Sequence, residues 1–85
     1  MGKNKQPSSQ PKVEIVNAVV DGVDNMLNVR TTPEVKEGNV ITTIKKGTYI
    51  QVVDPKKAET KEFYKIIVKD PEVKGYAMKK YIKII

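Results

Sequence analysis

From Val13 onward the chain alternates apolar with polar side chains, the period of a strand that buries one face. Leu27 and Val29 stand two apart and share a face, while Asn28 and Arg30 point the other way. Ile50 and Val52 alternate in the same manner with Tyr49 and Gln51, so the first pair points inward. In Phe63–Val68 both faces carry apolar groups: Tyr64, Ile66 and Val68 on one, Phe63 and Ile67 beside Lys65 on the other. One of those faces closes the core, which leaves Phe63 and Ile67 as candidates for an exposed patch. Val13–Val20 is rich in β-branched residues that suit a pleated surface. The pattern predicts strands at 13–20, 27–30, 40–44, 49–53, 63–68, 73–78 and 82–85, an all-β chain whose short antiparallel sheet curls into a closed cylinder. The final strand, Ile82–Ile85, must pair, because an apolar segment left open would be a sticky edge.

Turn chemistry separates these runs. Asp21-Gly22 ends the first, and Lys45-Lys46-Gly47-Thr48 joins 40–44 to 49–53 as a strand pair, with Gly47 free to take a positive φ. Lys69-Asp70-Pro71-Glu72 forms a further turn. The stretch 31–39 is a long loop with Pro33 and Gly38 as its stiff and permissive points, and 54–62 is polar, charged and solvated. Residues 1–12 offer no core-forming side chain except Met1, and Pro7 and Pro11 favour extended backbone, so a flexible arm is expected, idle or ordered by a partner.

Leu27-Asn28-Val29-Arg30, a turn at Pro33, an apolar strand, Lys45-Lys46-Gly47-Thr48, Phe63-Tyr64-Lys65-Ile66, Gly75-Tyr76-Ala77 and Tyr81-Ile82 follow one another in an order that resembles bacterial Src-homology-3 domains. The resemblance spans roughly residues 13–85. It implies a small Src-homology-3-like barrel of five to seven short antiparallel strands, with a single 3₁₀ turn at Lys79-Lys80-Tyr81 and a surface groove bordered by the 31–39 loop. It also implies binding rather than catalysis, and in many members the ligand is a peptidoglycan peptide. Three departures stand out: Thr31-Thr32 in place of Ser-Gly, Phe63 in place of Trp, and a longer charged insertion at 54–62.

Composition narrows the chemistry. An 85-residue chain is one domain, and a domain of this size buries only about 60% of its unfolded surface. With no Cys there is no disulfide framework, and with no His and no Cys the usual nucleophile and base pairs cannot be assembled. The two Ser residues, Ser8 and Ser9, lie in the arm, and no carboxylate sits in an apolar stretch that would raise its pKa. No phosphate cradle, dinucleotide fingerprint or zinc spacing is present, and Asp21, Asp24 and Asn25 lack the alternation and distal Glu of a calcium loop. The expectation is a non-enzyme without metal or cofactor. No apolar run has signal-peptide or membrane-span length, so synthesis in the cytoplasm is expected, with a virion or cell envelope reached through a partner.

The net charge is +6, and three of those six charges sit in residues 1–12, which leaves +3 for the rest. A basic surface can recruit nucleic acid, anionic lipid or acidic protein, or simply keep the domain soluble. Three binding classes follow. The first is docking onto a larger protein assembly, by analogy an accessory protein of a bacteriophage capsid or tail. The second, from the resemblance, is peptidoglycan-peptide binding in the cell wall. The third is nucleic acid, disfavoured by a single Arg and scattered aromatics. The candidate partner-binding residues are Lys3, Lys5 and Lys12 in the arm, Arg30, the aromatics Tyr49, Phe63, Tyr76 and Tyr81, and Ile67. The aromatics serve equally well as core, and Arg30 has Glu34, Glu37 or the turn backbone as structural partners.

Overall fold

The computed structural model describes residues 13–57 and 61–85, in which seven antiparallel strands form one sheet. The strands are β1 (Ile15–Val20), β2 (Met26–Arg30), β3 (Val40–Lys45), β4 (Tyr49–Val53), β5 (Phe63–Val68), β6 (Val73–Met78) and β7 (Ile82–Ile84). Their order is β3-β2-β6-β5-β4-β1-β7, and 3₁₀ turns occupy Pro55–Lys57 and Lys79–Tyr81. The expected all-β, Src-homology-3-like architecture is therefore present, with boundaries within two residues of those the alternation predicts.

Alternation also sorts the core. Ala18, Val20, Leu27, Val29, Ile50, Val52, Ile66 and Val68 are all buried, and Val16, Tyr64, Val73 and Tyr81 pack around them. Burying each of these Val, Leu and Ile side chains contributes about 1.5–3 kcal/mol. β1 begins at Ile15 rather than Val13 because the preceding backbone is held by a side chain. Glu14 N–H donates to Asp54 Oδ1 (2.8 Å), and Asp54 N–H donates to Glu14 O (2.7 Å). Asp54 makes this double clip at φ 46°, in the left-handed region.

Two features depart from expectation. β3 and β4 do not pair with each other: β3 pairs with β2, and β4 lies between β1 and β5. The intervening turn closes locally through Thr48 N–H donating to Lys45 O (3.1 Å) but spends its other hydrogen bonds elsewhere. Gly47 N–H donates to Val20 O (2.8 Å), Val20 N–H to Thr48 O (2.9 Å) and Lys46 N–H to Asn25 O (3.0 Å), so the two strands diverge after the turn. Gly47 does take the expected positive φ, 88°. The second departure is Phe63, which is only 4% exposed and so is no part of an exposed patch.

β2 meets β6 through one ladder pair, Arg30 with Tyr76, and the strands touch closely beside it. A Cβ on Gly75 would lie 2.6 Å from Arg30 O and 2.8 Å from Val29 Cγ1, so only a glycine allows this approach.

Candidate functional site

The 31–39 loop leaves β2 at Arg30 and returns at β3, and one side chain holds it in shape. Asn39, 6% exposed, accepts from Arg30 Nη1 at 2.8 Å and donates through Nδ2 to Thr32 Oγ1 and Glu34 O, both at 2.9 Å. Thr32 Oγ1–H donates to Glu34 Oε2 (3.1 Å), and Arg30 Nη1 also donates to Lys36 O (3.3 Å). The backbone closes the same circuit: Thr31 N–H donates to Asn39 O at 2.8 Å. A buried amide satisfied on both ends is costly to disturb, so the loop is a fixed wall.

Against that wall lie three adjoining hollows. One of about 310 Å³ has Met26, Asn28, Val35, Met78 and Tyr81 in its lining. Another of about 590 Å³ is lined by Lys61, Glu62, Met78, Lys79 and Lys80. The third, about 420 Å³, has Pro33, Glu34, Val35 and Phe63 in its lining, together with Lys61 and Glu62. Shared residues join them into one groove: Met78 and Val35 each border two hollows, as do Lys61 and Glu62. The far wall is the 3₁₀ turn, tied across by Lys79 N–H donating to Glu62 O at 2.8 Å.

The expected site residues fall into separate places. Tyr81 and Arg30 border the groove, and Phe63 lies beneath it. Strand alternation puts Phe63 on the sheet's outer face, where it opposes Met78; the loop bearing Pro33 and Val35 stands beside it, which accounts for its burial. Arg30 is committed to Asn39 and the Lys36 carbonyl rather than to the Glu34 or Glu37 carboxylates. Tyr49 is 74% exposed and pairs with Val19 on the far side of the ladder. Ile67 lines a separate hollow of about 240 Å³ with Ile15, Val53 and Lys65. Tyr76 is half-buried between Arg30 and Lys65 in the ladder. Lys3, Lys5 and Lys12 lie outside the described residues.

Val35, Lys61, Met78, Lys79 and Lys80 are groove residues that sequence reasoning missed. Met78 ends a strand in alternation with buried Ala77, which is a legible signal of an outward-facing apolar side chain. Lys79 had no such signal, because its placement depends on the ring of Tyr64 in another strand, whereas Lys80 rests on the ring of its chain neighbour Tyr81. Lys79 Nζ sits 5.2 Å from the Tyr64 ring centroid and Lys80 Nζ 5.1 Å from that of Tyr81.

Among the described residues no group of three or more His, Cys, Asp or Glu could hold a metal ion, and no helix is long and apolar enough to cross a membrane. What the arrangement offers chemically is a shaped surface with an apolar floor and a charged rim.

The sequence profile of the bacterial SH3 domain matches residues 25–83, from the approach to β2 through the 3₁₀ turn and into β7. No curated protein and no solved structure matches the chain at a significant level. The profile covers well over half of the chain, and the chain belongs to the bacterial SH3 domain family. It is thus a binding domain of a typically non-catalytic kind.

Proposed function

We propose that this bacterial SH3 domain is a docking module that takes an extended segment of a partner protein into the groove between the 31–39 loop and the 3₁₀ turn. The observation that carries the reading is the clasp on Asn39, whose bonds all lie within the chain and whose loop sets Val35 in the same hollow as Met78. A wall fixed in advance spares the ordering cost that a mobile loop would incur on binding. An open, elongated groove with apolar and polar sides suits a chain segment better than a compact small molecule, which favours an enclosed cavity.

The partner, on this reading, belongs to a larger protein assembly, with a bacteriophage capsid or tail as the specific case. Lys3, Lys5 and Lys12 are the arm charges that this reading also assigns to partner binding. The test is co-purification from the native source with the full chain, a Met78→Asp variant and a form lacking residues 1–12. A partner retained by the full chain and lost by Met78→Asp is the expected result. Equal recovery by both overturns the groove as the docking site. Equal recovery by the full and shortened forms removes the arm from the contact. Sedimentation of the full chain with insoluble peptidoglycan, abolished by Met78→Asp, would assign the groove to wall peptides instead.

A further inference from the structure

We infer that the groove selects an acid-bearing segment: Lys61, Lys79 and Lys80 receive the carboxylates of an extended partner chain, while Met78 and Val35 receive its apolar side chains. The inference rests on the docking reading above and adds the chemistry of the occupant.

The charge is uneven along the groove. Among the described residues, its largest hollow carries three lysines against the single carboxylate of Glu62, whereas Glu34 stands at the opposite end beside Val35. The ion pairs among the described residues both use Glu72, with Lys69 at 3.5 Å and Lys74 at 3.8 Å, on a turn that does not line these hollows. Lys61, Lys79 and Lys80 therefore hold no carboxylate among the described residues. Two of them are nonetheless held in position. Consecutive residues of one 3₁₀ turn, Lys79 and Lys80 lay their ammonium groups over Tyr64 and Tyr81, and the turn itself is bonded to Glu62 O. An ammonium resting on a ring face keeps donors free for an incoming oxygen, and less side-chain freedom is lost when that oxygen arrives.

The same contacts weigh against nucleic acid as the occupant. Single-stranded binders stack bases on open aromatic faces. Tyr64 and Tyr81 are partly buried against the core and each already carries a lysine, so neither is an open stacking platform. Arg30, the sole arginine, is spent on Asn39 and Lys36 O. What remains is point positive charge beside an apolar floor, which suits carboxylates interleaved with aliphatic side chains. The gradient from Glu34 to Lys80 also gives the segment a direction, with its acidic part over the 3₁₀ turn.

The experiment uses the full chain, isotopically labelled for amide shift mapping, and four fluorescent probes: short peptides alternating Glu with Leu, Ser with Leu and Lys with Leu, and a thymidine single strand. The Glu and Leu peptide should bind, shift the amides of Val35, Met78 and Lys79, and weaken as salt rises from about 50 to about 300 mM. Joint replacement Lys79→Glu and Lys80→Glu should lower that affinity at least about tenfold. Lys61→Glu, which leaves both ring contacts in place, should lower it about threefold with an unchanged spectrum elsewhere. If the Ser and Leu peptide binds equally well with the same shifts, the acid preference is wrong and the groove stands. If no peptide shifts the groove, or the shifts gather around Ile15 and Ile67, the docking reading fails and this inference with it. Tighter binding of the thymidine strand than of the Glu and Leu peptide overturns the inference in favour of nucleic acid.

Discussion

Gly75 and Asn39 are the two side-chain identities on which the groove's geometry rests, for opposite reasons. Gly75 is required for what it lacks: with no positive φ to satisfy, its constraint is purely the 2.6 Å to Arg30 O that a Cβ would have. Gly75→Ala should destabilise the domain by about 1–3 kcal/mol, seen as a lower urea midpoint at unchanged slope, and an unaltered midpoint would show that β2 yields freely. Asn39 is required for what it bonds. Asn39→Ala leaves Arg30 Nη1 and Glu34 O without that partner and should cost about 1–3 kcal/mol. Faster amide exchange through 31–38, with β5 unchanged, would locate the effect in the loop. Leu27 and Val29 were legible as core from spacing alone, since period two assigns a face. Phe63 was not, because spacing says which face a ring lies on and nothing about what covers it. Asn39 was overlooked for a similar reason: its role depends on Arg30 nine residues away.

The strands themselves were readable because β-branched runs bounded by Gly, Pro and Asp leave few other options, and the 3₁₀ turn at Lys79–Tyr81 fell where the resemblance implied. Pairing was harder. A Lys-Lys-Gly-Thr turn between two apolar runs reads as a hairpin, yet the carbonyl of Val20 and the carbonyl of Asn25 compete for its amides and win. Which acceptor an amide finds is decided by segments about 20 residues away or more, and local turn chemistry does not contain that information. Gly47→Ala isolates the local part of this arrangement. No atom lies within 4 Å of the added Cβ, so the cost is the left-handed backbone alone, about 1–2 kcal/mol. A thermal midpoint that drops while the Val20 amide stays protected from exchange is the expected pair of readings. Loss of that protection would mean the turn has left β1.

Across the domain as one body, stability is concentrated in few side chains. Ile66 is fully buried at the centre of β5, and domains of ordinary stability have only about 5–15 kcal/mol in total. Ile66→Ala should remove about 2–5 kcal/mol, and equilibrium unfolding by two spectroscopic probes should stay coincident while its midpoint falls. Separate transitions would show that the curled sheet is not one cooperative unit. With so slender a reserve, a rigid binding face is best kept by many small restraints, such as the Asn39 clasp, rather than by a large core. The lysines resting on Tyr64 and Tyr81 have one more consequence. The chain has no Trp and four Tyr, so its near-ultraviolet emission is tyrosine light, and two of those rings sit under an ammonium group. A visitor that draws either lysine aside changes the quantum yield of the ring below, so occupancy can be followed optically in the unlabelled protein.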